Sequence, residues 1–204
     1  MFLRQFKDSG GANMSYIVAD GLGGAGAVID PTGDLSGIMR TIETEGLKIE
    51  FILNTHGHPD HTSGNKNIAA ETGAKIAAHR LAGMKKDVAL DDGALLRVGR
   101  LEVKVIHTPG HTRDSVCFLV GGRLFTGDTL FVGECGRTDM PGGDAGAMYE
   151  SLFNRLMKLP DGIEIYPGHD YGPRPTSTIG QERKTNYVLE PRTKEEFIEF
   201  MAEP

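Results

Sequence analysis

Thr55-His56-Gly57-His58-Pro59-Asp60-His61 is the stretch on which the reading of this chain turns. It puts three imidazoles and a carboxylate into six residues, directly after IEFILNT (49–55), an apolar run that reads as a buried strand. Histidine is the commonest side-chain metal ligand, and aspartate supplies a hard oxygen donor. A loop leaving a strand turns alternate residues inward, so His56 and His58 reach one ion together. Asp60 and His61, one turn further on, reach a second. Alone, a His-x-His pair is more often a surface loop than a ligand set.

Three further positions remove that bland alternative. His111 in HTPGHT, Asp128 in FTGDTLF and His169 in YPGHDY each stand beside glycine at an expected strand end. Glycine there lets the backbone come close to an ion. Asp128 is the natural bridge, with one oxygen for each metal. Asp60 and Asp128 are therefore the candidate catalytic residues. His56, His58, Asp60, His61, His111, Asp128 and His169 are the candidate metal ligands.

On either side of this loop, FLRQF, MSYIVAD and AGAVID read as short strands, and residues 35–45 carry Leu35, Ile38, Met39 and Ile42 at helical spacing. Residues 65–71 read as a helix stopped by Gly73. KIAAH, RLEVKVIH, SVCFLV and RLFTGD read as strands, the last two joined by a Gly121-Gly122 hairpin. Residues 145–159 return to helical spacing through Met148, Leu152, Leu156 and Leu159. IEIYP is a strand, and residues 193–201 a helix whose Phe197, Ile198 and Met201 should dock on the core. Pattern alone yields mixed α and β, with no linker or repeat, and hence one domain over residues 1–204.

The chain has 204 residues, 39% hydrophobic and 25% charged, as expected of an ordinary globular protein. Its net charge of −6, without any Lys/Arg run, argues against nucleic-acid or anionic-membrane partners. Apolar stretches are strand-sized, and MFLRQFKDSGG lacks the features of a signal peptide, so a cytoplasmic location is expected. Cys117 and Cys135 match no zinc or disulfide spacing and are expected as reduced thiols.

The succession THGHPDH, GH, GD, GH, together with VIDP around Asp30, resembles the metallo-β-lactamase-fold superfamily over nearly the whole chain. The resemblance implies a four-layer αββα sandwich with metals in a cleft at one edge of its two sheets. It implies one metal on His56, His58 and His111, another on Asp60, His61 and His169, and Asp128 shared. Two divalent ions about 3.5–4 Å apart lower the pKa of a water between them toward about 7 and polarise a carbonyl. A thioester suits such a site, because a thiol of pKa near 8.5 departs without a strong acid.

Two branches of that superfamily are similar to this chain. FTGDTLFVG resembles glyoxalase II (hydroxyacylglutathione hydrolase), which implies a thioester hydrolase with a metal-bridged hydroxide and two divalent ions, zinc first, iron or manganese next. Where that branch has lysine and tyrosine after Gly136, this chain has Arg137-Thr138-Asp139, and its C-terminal part is short. Cys135-Gly136-Arg137-Thr138-Asp139, FLRQF, YPGHDY and STIGQE instead resemble the persulfide dioxygenases. That branch implies one iron(II) on His56, His111 and Asp128, a two-His-one-carboxylate set, acting on glutathione persulfide or a similar thiol persulfide. Pro59 stands where that branch usually has alanine. The hydrolase is the preferred reading and the dioxygenase the alternative; a non-enzymatic metal sensor is a third. In each enzymatic case the partner is a small thioester or thiol-derived molecule.

Arg137, Asp139 and Tyr171 are expected at the substrate entrance. Arg137 reads equally as a carboxylate or persulfide contact and as a loop brace paired to Asp139. Asp30 is expected to hold the ligand loop by hydrogen bonds rather than touch metal. Cys135, His79 and His107 read as structural.

Overall fold

The computed structural model describes residues 1–8 and 10–203. Twelve strands form two six-stranded sheets. The first contains β1 (Phe2–Lys7), β2 (Met14–Ala19), β3 (Ala25–Ile29), β4 (Lys48–Asn54), β5 (Lys75–His79) and β6 (Val88–Leu90), in that order. The second runs β12 (Ser177–Thr178), β11 (Glu164–Pro167), β10 (Arg123–Gly127), β9 (Val116–Val120), β8 (Leu101–His107) and β7 (Leu95–Val98). Within the first sheet the β3–β4, β4–β5 and β5–β6 pairs are parallel; β10–β11 is the parallel pair of the second.

The layers follow from strand alternation. On β2, Tyr16 and Val18 enter the core between the sheets, while Ile17 and Ala19 point to the opposite face. There they meet Ile38 and Ile42 of α1 (Ser36–Thr44) and Ile68 of α3 (Asn65–Thr72). The second sheet divides likewise: Phe118 and Phe125 face inward, Cys117 and Leu124 outward. The outward pair is covered by Met148 of α4 (Ala145–Tyr149), Ile179 of α5 (Ile179–Thr185) and Phe197 of α6 (Lys194–Ala202). The expected αββα sandwich is the observed fold.

The strands read from the sequence lie where expected, and Gly121 and Gly122 close the β9–β10 hairpin at φ 55° and 79°. Two expectations need correction. Residues 145–159 are no uniform helix: α4 passes into a π-helical stretch, Glu150–Arg155, and a 3-10 turn, Leu156–Lys158. Met148, Leu152 and Leu156 are buried, but Leu159 is only half-buried, because its backbone turns extended (ψ 154°) before Pro160. Ile198 is 41% exposed and lies outside the buried cluster. The α6 face on the core is Phe197, Phe200 and Met201, spaced i, i+3, i+4, and Ile198 lies about 100° away from Phe197. Thr193 and Glu196 cap the start of α6 reciprocally.

Candidate metal centre

Every predicted ligand sits just beyond the end of a strand. His56 and His58 follow β4. Asp60 and His61 ride on the one-turn helix α2 (Pro59–Thr62), with Pro59 at its first position. His111 lies on the loop after β8, Asp128 immediately after β10, and His169 two residues past β11. A register shift between Phe125 and Gly127 bends the β10–β11 pair at its end, and Gly168 N donates to Gly127 O at 2.8 Å. Asp128 and His169 thereby face each other. Val116 N donates to Thr55 O at 2.8 Å and stitches the second sheet to the histidine loop.

The structure brings all seven residues together. Donor atoms of His56, His58 and His111 lie within 4.8 Å of one another, as do those of His56, His61 and Asp128, and those of Asp60, His61 and His169. Asp30 works as expected: it holds a φ of 47°, and its carboxylate accepts from Thr55 N (2.8 Å), Thr55 Oγ1 (2.6 Å) and His61 Nδ1 (3.1 Å).

Hydrogen bonds on the far ring nitrogens select the metal-facing ones. His111 Nδ1 donates to Arg137 O at 2.8 Å, and His56 Nδ1 lies 3.2 Å from Thr55 Oγ1, whose own proton goes to Asp30. Nε2 is thus the lone-pair atom of both. These two nitrogens lie 3.0 and 3.1 Å from His58 Nδ1. One proton on His58 cannot satisfy both, so lone pairs converge. Such spacing matches nitrogens about 2.0–2.1 Å from a common cation at roughly a right angle. Burial and the neighbouring imidazoles hold His56 well below its usual pKa, which keeps it in the neutral, ligating form. The donor set fits a divalent metal.

The second group is more mixed. His61 Nε2 is buried without a hydrogen-bond partner, 3.4 Å from Asp128 Oδ1 and 3.7 Å from Asp60 Oδ2. His169, by contrast, has both nitrogens engaged: Nδ1 donates to Asp128 Oδ1 at 2.9 Å, and Nε2 faces Asn13 Nδ2 at 3.0 Å. Asn13 Nδ2 also reaches Asp60 Oδ2 and Asp60 O, each at 3.1 Å. Burial opposes the Asp128 charge, yet His61 and His169 hold its carboxylate well below the usual range.

A cleft of about 410 Å³ opens over the donors, with Phe131, Met140, Arg137 and Tyr171 on its walls. Tyr171 stacks on His169, ring centroids 4.8 Å apart. Arg137 pairs in bidentate fashion with Asp139, both bonds 2.6 Å, so its guanidinium braces the loop. Asp139 does not line this cleft but an adjoining depression. His79 and His107 stack on each other 4.1 Å apart, away from the ligand set. Cys117 and Cys135 are free and buried. Asn13 carries no motif; only its juxtaposition with His169, far along the chain, reveals it.

The model of the metallo-beta-lactamase superfamily matches residues 8–169. Hydroxyacylglutathione hydrolase of Anaeromyxobacter dehalogenans is 39% identical over 78% of this chain and 62% of its own. Human mitochondrial persulfide dioxygenase ETHE1 is 32% identical over 99% of this chain and 81% of its own. The crystal structure of ETHE1 from Myxococcus xanthus superposes with a TM-score of 0.91 at 34% identity, covering 100% of this chain and 92% of that one. Against several other curated relatives the chain spans little more than half their length. Shared residues and a shared fold make this chain a member of the metallo-beta-lactamase superfamily.

Proposed function

We propose that the chain is a persulfide dioxygenase using a single iron(II) held by His56, His111 and Asp128. The observation that carries this reading is likeness along the full length of the chain, to a persulfide dioxygenase structure that superposes with a TM-score of 0.91 over 100% of this chain. His56 Nε2 and His111 Nε2 converge on His58 Nδ1 at 3.0 and 3.1 Å, and Asp128 Oδ2 lies 3.6 Å from His111 Nε2. Likeness to the human dioxygenase runs along 99% of this chain, against 78% for the hydrolase, and supports the same choice.

Bound iron(II) on two histidines and a carboxylate supplies open positions where oxygen and a sulfur substrate meet. The overall change balances as R–S–SH plus O₂ plus H₂O giving R–SH and sulfurous acid, with the two sulfurs together losing the four electrons that oxygen gains. The chain's own part is positional. Asp30 and Thr55 fix the histidine loop, and the Arg137 carbonyl fixes the His111 ring. Phe131, Met140 and Tyr171 give the entrance an apolar wall suited to a disulfur group.

Two features support the second reading, a two-metal thioester hydrolase: the higher identity to hydroxyacylglutathione hydrolase and the open lone pair of His61 Nε2. Iron-loaded protein given glutathione persulfide should consume oxygen and release sulfite stoichiometrically. Thiol release from an acylglutathione, with no oxygen uptake on the persulfide, would replace the dioxygenase by the hydrolase.

A further inference from the structure

We infer that Glu182 and Asn186, which lie outside the cleft, position one of its walls by latching the turn at residues 131–134.

That turn follows Asp128 and closes tightly. Leu130 and Cys135 form an isolated antiparallel bridge, and Phe131 N donates to Glu134 O at 2.9 Å. Gly133 supplies the positive φ, 81°, that the reversal needs. Phe131, Glu134 and Cys135 line the cleft, and the Phe131 ring meets Tyr171 edge to face, centroids 5.3 Å apart. Ordering such a turn costs conformational entropy that its one internal bond does not repay.

The missing bonds come from the STIGQE stretch and its continuation, which the metal centre does not use. Glu182 on α5 is 1% exposed, an uncommon place for a glutamate. Its Oε2 accepts from Gly133 N at 2.7 Å and from Asn186 Nδ2 at 3.0 Å. The same Asn186 nitrogen donates to Glu134 O at 3.2 Å. Asn186 is buried as well: it caps the C-terminus of α5, and its Oδ1 accepts from Val188 N at 3.0 Å. Nearer the surface, Tyr187 OH donates to the Glu134 carboxylate. On the opposite side, Val132 O packs so closely on Gly172 that a Cβ at 172 would collide with it. The turn is thus gripped between α5 and the segment at 171–172, while neither Glu182 nor Asn186 lines the cleft.

Removing the Glu182 carboxylate would leave Gly133 N and Asn186 Nδ2 without their acceptor. The turn would then open and carry Phe131 away from the wall. The latch shapes the entrance and not the donor groups, so it serves a persulfide and a thioester alike.

The test is hydrogen–deuterium exchange of the iron-loaded protein, read by mass spectrometry. Peptides covering 129–136 should exchange about 10–100-fold faster in Glu182→Ala and in Asn186→Ala than in wild type, while β2 and β3 keep their rates. Glu182→Gln keeps an acceptor oxygen and should restore most of the protection. Should Glu182→Ala fail to fold, Asn186→Ala carries the comparison. Exchange needs no substrate, so it is read whatever reaction the cleft performs. In steady-state assays on glutathione persulfide or an acylglutathione, whichever the wild type turns over, KM should rise with kcat and bound metal unchanged. Glu182→Ala should add little to Phe131→Ala, because both act on one wall. Unchanged exchange at 129–136, equal acceleration in β2 and β3, or additive losses in the double variant would overturn the latch. A fall in bound metal with KM unchanged would also overturn it, by making Glu182 a support of the donors instead.

Discussion

At the scale of single residues, Asp128 meets the most demands. One oxygen accepts from His169 and lies near His61, while the other lies 3.6 Å from His111. Asp128→Ala removes a donor and unties His169 together, so metal content and turnover should both fall by at least about 100-fold. A variant that kept its metal and its rate would dismiss Asp128 as a ligand. Asp30 belongs to none of the three donor groups, yet it holds Thr55 and His61. Asp30→Ala should weaken metal binding about 10–100-fold without emptying the site, measured by competitive chelation. In the metal-free protein, burial disfavours a charged His169, but hydrogen bonds to Asp128 and Asp60 outweigh it and raise its pKa to about 9. A raised folded pKa stabilises fully below the unfolded value near 6.5, and that contribution is lost as pH rises through about 9. Melting temperature of the metal-free form should therefore decline across that window; a flat profile would contradict the His169–Asp128 pairing. Burial pushes both cysteine thiols up to about 12, so neither should react with a thiol reagent at pH 8 until the chain unfolds.

At the scale of elements, the predicted ligand positions were readable because each follows an apolar strand and stands in or beside a glycine-bearing motif. Gly168 shows why glycine is needed: a Cβ there would come within 2.4 Å of Asp128 Oδ1 and 2.8 Å of His61 Cε1. Other elements were not readable for physical reasons. β6 and β7 have three and four residues, too few for a period of two to declare itself. Helix α2 is a single turn of polar ligands, without an apolar stripe. The place of Asn13 beside His169 depends on a bridge to a residue 156 positions away, and no local pattern encodes that. Apolarity alone does not separate Ile198 from its neighbours; the turn of α6 sets Phe197 and Phe200 against the core. Phe197 is fully buried, so Phe197→Ala should cost about 3–5 kcal/mol, read by denaturant unfolding, whereas Ile198→Ala should cost little. Equal costs would refute Phe197 as the docked residue.

At the scale of the whole molecule, two sheets share one inner core and carry helices on their outer faces. The strands bearing the ligands end at one common edge. That arrangement belongs to the superfamily and does not by itself choose between hydrolysis and oxygenation. No described helix is long and apolar enough to cross a membrane. The most direct test is anomalous diffraction, at the iron absorption edge, from crystals of the iron-loaded protein. The account predicts one peak within bonding reach of His56, His111 and Asp128. A second peak of equal height among Asp60, His61 and His169 would contradict it.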